Sequence, residues 1–245
     1  MGRSLRTEAI VLRSIRYGEA DRILHLYTPE HGRLSAIAKG ARRTRSRFGA
    51  RLEPFFHLRT LLYQSHPPRS DLRTVTSAET LDAHGPLRER AASLDAAARA
   101  CDAVARLFET GDPSPPVFHL LANELRLLDG DPAAAGAAHQ LAFRLKLLVA
   151  GGFAPQLGSC ASCGESEHLV GFSGAAGGVV CAACEASAFP LSEEAHAFLV
   201  AALGRPLAQA PDASPRALRQ AERAIAETAE HHAHVHLRPL PRAAA

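Results

Sequence analysis

Residues 33–51 read R-L-S-A-I-A-K-G-A-R-R-T-R-S-R-F-G-A-R. The first positions set Leu34, Ala36 and Ala38 against Arg33, Ser35 and Ile37, the period of two that marks a half-buried strand. From Lys39 the character changes. Lys39, Arg42, Arg43, Arg45, Arg47 and Arg51 place six fixed charges around Gly40 and Gly49, Arg33 lies on the approach, and no acidic residue falls between Arg33 and Glu53. A guanidinium buried without a partner carries a large desolvation cost, so this run must face water or a polyanion. A strand feeding such a loop predicts a small β domain with a basic edge. Clustered arginine favours nucleic acid, because each phosphate contact releases a condensed counterion. The alternative is a solvated loop that keeps the protein soluble.

Outward from that stretch, residues 9–12, 23–27, 55–63 and 72–76 are also β-prone and are separated by Gly and Pro signals. Five short strands fit an N-terminal OB-fold β-barrel, a fold whose exposed face binds oligonucleotides, with an SH3-like barrel as the structural alternative. The period changes at Leu87. Leu87, Ala91, Leu94, Ala98, Cys101, Ala105 and Phe108 recur every three or four residues, which predicts one face of an amphipathic helix. Residues 111–116 (G-D-P-S-P-P) break it, and a second helix follows with Val117, Leu120, Leu121, Leu125 and Leu128 inward. A third spans 133–150 with Leu141, Leu145 and Leu148 as its stripe and Gly151-Gly152 as its stop. Later, Ser192 is an N-cap before Glu193 and Glu194, and Ser214-Pro215 opens a further helix to about residue 230. The expected fold class is α+β and multidomain. It comprises an OB-fold domain at 1–80, an all-α helical domain in two parts at 81–157 and 188–245, and an inserted zinc-binding module at 158–187.

That module rests on Cys160-x2-Cys163 and Cys181-x2-Cys184. Each C-x-x-C pair places two thiolates on one ion, and two pairs complete a tetrahedron. The Gly-rich segment 171–178 supplies turns for a small ribbon. Four thiolates leave no open position, so zinc at this site is structural. The fifth cysteine, Cys101, lies on an apolar stripe and reads as a small buried hydrophobe. His231, His232, His234 and His236 read as a helix C-terminus or polar tail, and Asp129-Gly130-Asp131 as a turn rather than a magnesium site.

The net charge of +3 hides an asymmetry, with 15 Lys/Arg and 7 Asp/Glu in residues 1–80 against 13 and 18 in the remainder. Opposite signs in two parts of one chain imply two surfaces with different partners. The N-terminus lacks the apolar core of a signal peptide, and the chain has no apolar run long enough for a membrane span. With its cysteines paired for metal, the protein is expected in the cytoplasm. Phosphate-binding, dinucleotide and nucleophile-elbow motifs are missing from the sequence, which argues against an enzyme.

The run G-R-L-S-A-I-A-K-G-A-R-R-T-R-S-R-F at 32–48, L-E-P-F at 52–55 and the opening T-E-A-I-V-L-R-S-I-R-Y-G-E-A-D-R-I-L-H-L-Y-T at 7–28 resemble the RecO family of bacterial DNA repair proteins. The order of β domain, helices, C-x-x-C pairs and helices resembles it too. The resemblance implies a recombination mediator of the RecF pathway, associated with the nucleoid. Such a protein binds single- and double-stranded DNA, anneals complementary strands, and with RecR helps RecA load onto DNA coated with single-strand-binding protein. It needs no small-molecule substrate and no membrane. Carried over by position, Lys39, Arg42, Arg43, Arg45, Arg47 and Arg51 line the DNA-contacting side, with Arg33 beside them. Cys160, Cys163, Cys181 and Cys184 hold zinc. Among the aromatics Tyr17, Tyr27, Phe48, Phe55, Phe56 and Tyr63, Phe48 is the one expected to be exposed for stacking. The rival reading is a zinc-stapled helical module for protein interaction, with the basic run merely solvated.

Overall fold

The structure, a computed structural model, describes residues 2–65 and 72–241. The chain divides into two compact units, Met1–Gly130 and Asp131–Ala245.

The first unit opens with five strands: β1 Arg3–Tyr17, β2 Asp21–Thr28, β3 Gly32–Ala38, β4 His57–Gln64 and β5 Arg73–Asp82. β1 is long enough to serve two neighbours. Residues 3–10 pair with β4 and residues 10–17 with β2, and the strand bends at a register shift between Val11 and Arg13. β3 alternates buried and half-buried residues along its whole length, as its sequence predicts, and turns Leu34, Ala36 and Ala38 inward. Gly32 starts it at φ 58, and a Cβ there would meet the Asp112 carbonyl oxygen at 2.0 Å, so only glycine fits. The inward side chains of all five strands form one core that includes Val11, Leu26, Leu34, Leu58, Leu62 and Val75.

The five strands close into a barrel. The strands follow the order β1-β2-β3-β5-β4, with β4 back on β1. The seam between β3 and β5, however, consists of two parallel pairs, Ala36 with Arg73 and Ile37 with Thr74. Among the described residues these two pairs make up the seam. Gly32 and Arg33, at the start of β3, bridge to Thr110.

Three helices complete the unit: α1 Gly85–Glu89, α2 Ala91–Leu107 and α3 Pro115–Gly130. α2 buries Ser93, Ala96, Ala97, Ala100, Cys101 and Val104, while Leu94 is 38% exposed. The predicted stripe is therefore rotated. Small residues let α2 approach its neighbours closely, and the larger Leu94 is left outside. α3 packs Val117, Leu121, Leu125 and Leu128 inward as expected, while Leu120 is only half-buried. Aromatic contacts tie these elements to the sheet. Tyr27 meets Phe108 edge-on at 6.0 Å between ring centroids, and His57 meets Phe118 at 5.5 Å.

The second unit holds α4 Ala137–Ala150, α5 Glu193–Gly204 and α6 Pro215–His232, together with a three-stranded sheet in the order β7-β6-β8. Its strands are β6 Leu169–Ser173, β7 Gly178–Cys181 and β8 Phe189–Pro190. Ser192 and Ser214 cap α5 and α6, each accepting a hydrogen bond from the backbone N–H three residues on. α4 is buried nearly all round. The hairpin of β6 and β7 is the expected ribbon. β8 pairs through two residues only and has no period a sequence could show.

Candidate nucleic-acid interface and metal centre

The basic run lies between β3 and β4 as a succession of turns. Its backbone is held at several points. Gly40 N–H donates to Asp21 Oδ1 at 2.8 Å, Arg42 N–H to the Ala20 carbonyl at 2.8 Å, and Ser46 N–H to the Arg43 carbonyl at 2.9 Å. Ala41, Phe48 and Leu52 drop into the sheet core. The loop is thus a rim fastened from below, with Lys39, Arg42, Arg43, Arg45, Arg47 and Arg51 all exposed on its outer side.

Among the described residues no carboxylate lies within ion-pair distance of any of the six. Glu53, the first acid after the run, is taken by Arg22 at 2.6 Å. The contacts these arginines do make go to carbonyls: Arg42 to Gly18 at 3.3 Å, Arg47 to Val75 at 3.5 Å and Arg51 to Arg47 at 3.3 Å. Such contacts orient a guanidinium and leave its charge available.

Arg33 stands apart. Its Nη1 donates to the Ala105 carbonyl near the end of α2, and its Nε and Nη2 reach Thr110 Oγ1 at 3.4 and 3.5 Å. It fastens the helical connection to β3.

Phe48 is also corrected. It is 1% exposed, with the Arg47 guanidinium over its ring, because the loop needs an apolar anchor. The exposed aromatics are Tyr17, at 53%, and Tyr63, at 40%. Tyr17 ends β1 next to Gly18, whose carbonyl receives Arg42.

In the second unit the cysteine quartet assembles as its spacing predicts. The four sulfurs lie within 4.8 Å of one another, with Cys163 Sγ 3.6 Å from Cys181 Sγ. Four thiolates about 2.3 Å from one ion are spaced about 3.8 Å apart in a tetrahedron, so the set fits zinc. The first knuckle is closed by Gly164, at φ 83, whose N–H donates to the Cys160 carbonyl at 2.8 Å. Cys181 ends β7, and Cys184 lies on the 3-10 turn Ala182–Ser187 that follows. The Cys160 thiol is drawn down to about 6, chiefly by the Cys181 backbone N–H, while its sulfur neighbours Cys163 and Cys181 push Cys184 up to about 12. A cation is what allows all four to be thiolates together. The cluster is a structural zinc site. Cys101, fully buried, has its thiol pushed far up by burial and by Glu124, as an inert core residue should.

His231 and His232 occupy the last turn of α6, and His232 Nε2 is 2.8 Å from the Gly174 carbonyl oxygen. Asp129 belongs to the last turn of α3 rather than to a free turn, and Asp131 caps the 3-10 turn Pro132–Ala135.

Comparison with known proteins covers most of the chain. The model for the N-terminal part of Recombination protein O matches residues 1–84, and that for its C-terminal part matches residues 88–241. A DNA repair protein RecO of Rubrobacter xylanophilus is 42% identical over 226 residues, covering 90% of this chain and 88% of the relative. Those of Anaeromyxobacter sp. Fw109-5 and Cutibacterium acnes are each 36% identical, the first covering 95% of this chain and 92% of the relative, the second 77% of each. These likenesses define the class as DNA-repair proteins. Within it, the chain belongs to the Recombination protein O (RecO) family. Its role is that of a non-catalytic recombination mediator of the RecF pathway. Among the described residues, no helix is long and apolar enough to cross a membrane.

Proposed function

We propose that residues 39–51 form the surface on which this mediator holds single- and double-stranded DNA and anneals complementary strands. One observation carries this reading: six exposed cations on a fastened loop, none neutralised by a carboxylate among the described residues. Two phosphate backbones repel each other. A rim of fixed positive charge screens that repulsion by displacing counterions and leaves the base edges free to pair. Affinity resides mainly in phosphate contacts and carries little sequence preference. Tyr17 is the aromatic best exposed beside the rim to stack on an unpaired base. Arg33 serves the interface indirectly, by holding the β3 edge.

The β domain at 1–80 is the DNA-binding part. The helices at 81–157 and 188–245 and the zinc module at 158–187 offer surface to protein partners: RecR, single-strand-binding protein and, through them, RecA. The setting is the nucleoid, in the cytoplasm. Family membership supports these partners.

Reversing Arg42, Arg43, Arg45 and Arg47 to Glu tests the DNA surface. With all six cations on phosphate, log affinity for single strands should fall against log salt with a slope of about −4, from roughly 0.7 per contact. The quadruple variant should flatten that slope and lose annealing. A parent protein whose affinity ignores salt, or a variant that binds as well as the parent, would overturn the assignment.

A further inference from the structure

We propose that Asp82, His84 and Asp129 form a second metal site, for one divalent first-row cation such as Mn2+, where the end of β5 meets α1 and α3. One ligand atom from each residue lies within 4.8 Å of the others. His84 sits at φ 46 between β5 and α1 and is 3% exposed. Its Nδ1 is buried and makes no hydrogen bond. The Asp82 oxygen nearest to it, Oδ1, is 3.4 Å away and already accepts the His84 backbone N–H at 2.9 Å. Asp129, in the last turn of α3, has Oδ1 occupied by the Leu87 N–H at 2.8 Å, at the start of α1. Each carboxylate therefore uses one oxygen to fix its own orientation and retains lone pairs beyond that bond.

A buried nitrogen without a partner is rare in a folded protein and calls for an explanation. Burial holds the His84 imidazole below its usual pKa, against the upward pull of Asp82 and Asp129. A neutral imidazole offers a lone pair, and two carboxylates supply the charge that a dication needs. One nitrogen and two oxygens without sulfur suit Mn2+, Co2+ or Zn2+. Asp82 is half-exposed, which gives the ion a way in and room for water to complete its shell. The neighbouring Arg88 is turned to the Ala83 and Pro54 carbonyls, so it offsets the carboxylates without blocking them. A bound ion would clamp the last residue of β5 to the last turn of α3, a tie between sheet and helices that uses no residue of the basic loop or the cysteine quartet.

Zinc-loaded full-length protein should be titrated with Mn2+, following loss of the free-ion electron paramagnetic resonance signal. One Mn2+ per chain is expected beyond the zinc. Asp129→Asn keeps an oxygen for the Leu87 N–H, and Asp82→Asn keeps one for the His84 N–H. Each should bind about tenfold more weakly or worse. His84→Asn, which tolerates positive φ, should abolish any rise in thermal midpoint that Mn2+ gives the parent. If Asp129→Asn fails to retain zinc and helicity, the exposed Asp82→Asn carries the same comparison. No bound Mn2+ in the parent, or undiminished binding in the Asn variants, overturns the site.

Discussion

The guanidinium of Arg47 lies over the ring of Phe48, 4.9 Å from its centroid, and the ring itself is buried in the core of the sheet. Adjacent residues thus do opposite work, one holding the loop down and the other presenting charge above it. Phe48→Ala should destabilise the first unit by about 3–5 kcal/mol, as loss of a buried phenylalanine does. It should also weaken DNA binding although every cation remains. Urea unfolding together with single-strand binding checks both, and unchanged binding would show that the rim does not depend on its anchor.

Arginines 33 and 43 are separated by what they touch. Arg43→Gln should remove one phosphate contact, lowering the salt slope on single strands by about 0.7 and weakening all sequences alike. Arg33→Gln should leave that slope intact and cost roughly 1–3 kcal/mol of stability, because it takes away charge-assisted bonds to Ala105 and Thr110. The reverse pattern in salt titrations and denaturation curves would exchange their roles.

Zinc is expected to support its own neighbourhood. Cys160, Cys181 and Val180 form a small cluster too slight to fold alone, so metal binding and local folding are coupled. Chelation should expose the amides of residues 155–190 to hydrogen exchange while the ladders of β1–β5 stay protected. Cys160→Ser with Cys181→Ser should lose the metal. Retention of one zinc per chain by that double variant would exclude the quartet.

His25 on β2 faces Arg13 on β1 and Ser35 on β3 across the ladders. Burial first, then Arg13 and Arg33, hold its pKa below the ordinary 6.5. A histidine depressed in the folded state contributes stability that is complete above its unfolded pKa and is lost as pH falls from there through the folded value. Stability should therefore decline on going from about pH 8 to about pH 5, and His25→Gln should flatten part of that decline. Urea midpoints across that range measure it, and identical slopes would remove His25 as the cause.

Much of this was legible in the residues. The alternation of Leu34, Ala36 and Ala38, the serine caps at 192 and 214, and the two C-x-x-C knuckles are written locally, and each appears where it was expected. The α2 stripe was only half legible. A run of alanines satisfies more than one face, and close approach of its neighbours chose Ser93 and Ala97 over Leu94. The bridge from Thr110 to the start of β3 was hidden, because it comes from far along the chain.

Sequence by itself determined most of the strand and helix segments, the thiolate set and the density of positive charge at residues 39–51, since these follow from near neighbours and from composition. Tertiary structure alone decided which arginines stay free, that Phe48 turns inward and that Asp82, His84 and Asp129 converge. A side chain's partner depends on what fills the space opposite it, and the contacts that fill that space come from distant parts of the chain.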